Sequence, residues 1–126
     1  MARSRRTTDL PAPVVSAIAG VLGPAVGAVK LVERSWRVRW HPRMHATTRR
    51  NVIYLRGTIE EFASDPALVL HEYFHVMEQW APGKLTRTRY LLELLRRGYQ
   101  DNQFEVETRE FVTRNIGRFR RLLDGR

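Results

Sequence analysis

The strongest constraint on this chain is a helix whose start, length and inward face are all written between residues 64 and 80. Ser64-Asp65-Pro66 supplies a capping side chain followed by proline in the first turn. Leu70, Phe74 and Met77 then recur at i, i+4 and i+7, the spacing of one apolar stripe. Ala81-Pro82-Gly83 ends the run, so the sequence predicts a helix over about 66–80. That helix contains His71-Glu72-Tyr73-Phe74-His75. Residues four apart on a helix lie one above the other, so His71 and His75 share a face and can bind one metal ion. Glu72 is rotated about 100° from His71 and can take a proton from a water acidified by zinc. The same five residues also fit a helix whose two histidines are hydrogen-bonded in a core.

A catalytic zinc needs a third protein ligand and an open position. The chain has no cysteine, which excludes thiolate ligands and disulfides and leaves histidine and carboxylate. His41 and His45 are four apart, but they flank Pro42 in a loop-like segment where helical spacing carries no weight. Glu105 opens a later helix and can point inward as the third ligand. Two other readings stay open. Asn102 and Glu105 have capping-box spacing, and Glu107 is a second carboxylate on the same turn. Spacing alone does not orient a carboxylate. For steadying an oxyanion, Tyr99, Tyr90, Tyr54 and His45 are candidates. Tyr99 is the working assignment, although no spacing rule separates the four.

The rest of the chain reads as a basic tail, residues 1–9, followed by one domain over 10–124. Its 126 residues are enough for one core without covalent staples. Arg3, Arg5 and Arg6 precede a mostly apolar stretch from Pro13 to Val29, which has the outline of a signal or anchor. Asp9, Pro11, Gly20, Gly23 and Pro24 interrupt it, and it falls short of the roughly 20 apolar residues a span requires. A docking helix over Pro11 to Leu22, a break, and a second short element are expected, with no stable membrane span. Arg37 to Trp40 and Asn51 to Gly57 read as strands, with His41 to Arg50 as a loop between them. Helices are expected over about 86–98 and 103–123. These elements predict an α+β fold, with a small antiparallel sheet packed on a helical core that carries the metal.

The formal charge is +9, from 22 basic and 13 acidic residues. Such a surface favours anionic partners, and weak non-specific nucleic-acid binding through the Arg-rich helices is one expectation. All but two of the basic residues, Lys30 and Lys84, are arginine, a bias that a GC-rich genome produces without any partner. The Arg-rich helices also lack the interleaved aromatics of a base-stacking surface.

The downstream run Glu105-Val106-Glu107-Thr108-Arg109-Glu110-Phe111 resembles the second-helix signature E-x-E-A-x-x-F-A of compact gluzincins, including the ImmA/IrrE type. Thr108 and Val112 replace the two alanines. The upstream half resembles the metallopeptidase domain associated with extracellular contractile injection systems. It does so through Leu10-Pro11-Ala12-Pro13-Val14, the strand Asn51 to Gly57, and Leu68 to Gln79 with Glu78-Gln79 after the histidines. The resemblance spans about residues 10–112. It implies a zincin-like fold, a zinc ion on His71, His75 and Glu105, Glu72 as catalytic base, and a peptide or protein substrate. A binding or docking module of a secretion or injection system that keeps this fold without turnover is the alternative. A cytoplasmic location is expected, with export by a specialised secretion system as the other reading.

Overall fold

Pro11 and Pro13 start helix α1, Ala12–Leu22, and Gly23 stops it with a φ of 98°. A 3-10 turn, Pro24–Ala28, follows at once, so the expected docking helix, break and short second element all appear. The structure, a computed structural model, describes residues 7–8, 10–35, 46–49, 51–80, 83 and 87–125.

Four short strands form one sheet: β1 Thr7–Thr8, β2 Lys30–Val32, β3 Ala46–Arg49 and β4 Val52–Leu55. Their order is β1-β2-β4-β3. The outer pairs are antiparallel, but β2 and β4 run parallel, with Leu31 opposite Ile53. The expected antiparallel sheet is therefore corrected to a mixed one with a parallel centre. Alternation of buried and exposed residues is the same whichever way a strand runs, so the sequence pattern carried no information on direction. β4 lies between β3, its antiparallel neighbour, and β2, its parallel one.

Two further differences concern pairing. Ala46–Arg49 falls in the expected loop, yet Thr47 and Thr48 pair with Tyr54 and Ile53. β-Branched threonine suits that position, and Asn51 makes the turn with a φ of 62°. Thr7 and Thr8, within the segment read as a basic tail, pair with Val32 and Leu31. The expected strand Arg37 to Trp40 lies outside the described residues.

The helices follow. The short α2, Ile59–Ala63, is closed by a reciprocal capping box between Thr58 and Glu61. α3, Pro66–Phe74, is capped by Asp65 and continues into a π-helical stretch, His75–Trp80. α4, Arg87–Asp101, bends at Gly98, whose φ of 75° and ψ of 175° belong to a region essentially reserved for glycine. α5, Gln103–Leu123, packs along both α1 and α3. At Gly20 of α1, an added Cβ would lie 2.9 Å from Leu122 Cδ1 of α5, so the two helices meet closely there. Leu31 and Ile53 join Ile18, Val69, Leu70, Val76 and Phe119 in one apolar core. The fold is thus α+β and mostly helical. Among the described residues no helix is long and apolar enough to cross a membrane.

Candidate metal centre

Asp65 Oδ1 accepts the Leu68 N–H at 3.2 Å and starts the helix that carries His71 and runs on into the π-helical stretch opening at His75. Their rings sit edge to face, with centroids 4.9 Å apart. α5 is held against this helix by stacking of Phe74 on Phe111, at 4.5 Å between centroids. That packing brings the first turn of α5, and with it Glu105, over the two histidines.

The result is a nearly equilateral triangle of donor atoms. Glu105 Oε1 lies 3.2 Å from His71 Nε2 and 3.3 Å from His75 Nε2, and the two Nε2 atoms are 3.3 Å apart. Zinc binds nitrogen and carboxylate oxygen at about 2.0–2.1 Å. A tetrahedron built on such bonds has edges of about 3.3–3.4 Å, so the three atoms have the separation that one ion would demand. They form a group able to hold a metal ion.

The electrostatics agree with that assignment. Glu105 Oε1 is buried and, among the described contacts, faces only the two histidine nitrogens, at 3.2 and 3.3 Å. Each Nε2 offers a lone pair or an N–H according to the tautomer of its ring; with both rings bare at Nε2, three acceptors converge and a cation is what they would bind. In the metal-free chain the Glu105 charge favours a proton on His75. Burial disfavours the Glu105 carboxylate, but hydrogen bonds and charge from His71 and His75 outweigh it and hold the carboxyl well below the usual carboxylate range. Burial likewise disfavours a charged His75, but its contact with Glu105 and the nearby Glu72 charge push its pKa up. Glu72 is itself buried, and burial pushes its carboxyl up. The charges of His75 and His71 pull it back, and that of Glu105 adds to the rise.

Two other side chains serve the first N–H groups of α5. Asn102 Oδ1 accepts the Phe104 N–H at 2.8 Å, and Glu93 Oε2 from α4 accepts the Gln103 N–H at 3.1 Å. Glu105 is free to turn inward. Glu107 points elsewhere, with Oε1 accepting from Gln79 Nε2 at 2.9 Å. Of the candidate oxyanion donors, Tyr90 instead donates to Glu105 Oε2 at 2.9 Å, and Tyr54 lies half-buried on β4. His41 and His45 lie outside the described residues, as does the side chain of Tyr99.

Sequence reasoning missed Gln79 and Thr108, both fully buried at the centre. Gln79 Oε1 lies 2.7 Å from His75 Nδ1, and Thr108 Oγ1 lies 3.4 Å from the same nitrogen. A signal for Gln79 was present: it follows His71 and His75 at the same four-residue step. The chain matches no family model, no curated protein and no solved structure.

Proposed function

We propose that this chain is a zinc-dependent hydrolase of peptide bonds, of the gluzincin type, with His71, His75 and Glu105 as ligands and Glu72 as general base. The triangle of donor atoms, spaced as one zinc ion requires, carries the reading. Zinc, when bound, supplies Lewis acidity that polarises a carbonyl and acidifies water. Two histidines and one carboxylate would supply the three protein ligands that a catalytic zinc uses.

The chain's own residues do the rest. Glu72 neighbours His71 and lies in a buried setting that raises its affinity for protons. A carboxylate so tuned suits a base that takes a proton from the attacking water and returns it to the leaving amine. His71 is the most open of the three ligands, with 23% of its side chain exposed against 6% for His75 and 4% for Glu105. Substrate therefore approaches from the His71 side.

The test is zinc content and hydrolysis of an unstructured protein, in wild type and in Glu72→Gln. Both proteins are expected to hold one zinc per chain, because the base is not a ligand. Hydrolysis should fall by about 10²–10⁴ in Glu72→Gln. Protein purified without chelator that contains no transition metal would overturn the site. Cleavage by Glu72→Gln at the wild-type rate would overturn the role of Glu72.

A further inference from the structure

We infer that Gln79 is the positioning residue of this site, locking His75 with its proton on Nδ1 and its lone pair on Nε2, and that it does so only with α5 docked. The inference rests on the metal-site reading above. It starts from one atom whose role is not in question, the backbone carbonyl of Phe104, which can only accept.

Gln79 places one end of its amide 3.0 Å from Phe104 O and 2.9 Å from Glu107 Oε1. The group facing two acceptors must be the NH₂. The amide oxygen is then the end that lies 2.7 Å from His75 Nδ1, so Nδ1 must donate. A second path leads to the same proton. Thr108 Oγ1 lies 2.7 Å from Phe104 O and spends its only hydrogen there. Its lone pairs are what remain to face His75 Nδ1 at 3.4 Å. Two acceptors thus surround Nδ1. A neutral imidazole carries a single N–H, so Nε2 is bare and faces His71 and Glu105, the form a metal requires.

The arrangement links ligand preparation to helix docking. Phe104 immediately precedes Glu105, so the turn of α5 that delivers the third ligand also supplies the carbonyl that orients the Gln79 amide. Without α5 nothing keeps the amide from turning its NH₂ toward Nδ1. The ring would then carry its proton on Nε2, where it blocks ligation. With α5 docked, both Gln79 and Thr108 are 0% exposed, so no water competes for Nδ1 in that state.

The experiment reads the ring nitrogens of His75 by ¹⁵N NMR in metal-free protein, at a pH where the ring is neutral, and zinc affinity by competition. Wild type is expected to show the Nδ1–H tautomer alone. Gln79→Met leaves only the longer Thr108 contact, so it should populate the Nε2–H tautomer and weaken zinc binding by about 10–100-fold. An Nε2–H tautomer in wild type overturns the inference, whether or not Gln79→Met folds. So do a tautomer and zinc affinity unchanged in Gln79→Met. Wild type that shows the expected tautomer but binds no zinc overturns the proposed function and leaves the orienting role of Gln79 standing.

Discussion

Tyr90 donates its phenolic hydrogen to Glu105 Oε2 at 2.9 Å, while Oε1 of the same carboxylate lies 3.2 Å from His71 Nε2. One oxygen is thus held by α4 and the other is turned to the histidines. Tyr90→Phe keeps the ring stacked against Phe104, at 6.4 Å between centroids, and removes only the donor. The freed carboxylate can then rotate. Zinc affinity is expected to fall about tenfold, at the lower end of what loss of such outer contacts costs. A competition titration reads this directly, and an unchanged affinity would show that packing alone orients Glu105.

The division of labour between Glu93 and Glu105 gives a second prediction. Glu93 serves the Gln103 N–H at the start of α5, and Glu105 serves the histidines. Glu105→Ala should lose stoichiometric zinc while keeping its helix content. Glu93→Ala should keep zinc and lose about 0.5–2 kcal/mol of stability, the cost of a helix cap. Metal analysis with denaturant melts separates the two. Zinc retained in Glu105→Ala would return that residue to a purely structural role.

Zinc and protons compete for the same atoms, and the signs can be worked out. The His75 pKa is raised above its ordinary 6.5 in the metal-free fold. Its proton therefore stabilises that fold fully below pH 6.5, and the contribution is lost as pH rises through the raised value. Glu105 is depressed below 4.5, so its contribution is present above that pH and is lost as pH falls through the lower value. Zinc needs His75 unprotonated. Raising the pH through the His75 pKa should therefore weaken the metal-free protein and enlarge the added stability that zinc confers. Thermal melts with and without chelator across this range would show the two trends diverging. A zinc increment that is flat with pH would mean that His75 does not bind the metal.

Much of the site was legible before any fold was known, because its parts are local. His71 and His75 share a face by helical geometry alone, and Asp65-Pro66 announces the helix that carries them. Glu105 was legible only as one of several choices. Asn102 and Glu105 have capping-box spacing, and nothing local to the chain reveals that Glu105 turns to the histidines while Glu93, ten residues upstream of Gln103, takes that residue's N–H from another helix. The sheet shows the same divide. Val52–Leu55 has the alternation of a half-buried strand, but its parallel partner Lys30–Val32 is three residues long and carries no pattern of its own.

The sequence by itself determined the helix, the two histidines on one face and the carboxylate beside them, since all three follow from short-range backbone geometry and residue chemistry. Only the tertiary structure decided which carboxylate meets them, which way the central strands run, and which nitrogen of His75 faces the site. Each of those depends on groups far apart in the chain: Tyr90 on Glu105, β2 beside β4, and the Phe104 carbonyl acting through Gln79 on His75. Packing brings these groups within hydrogen-bond range, and no periodicity along one segment encodes such a meeting.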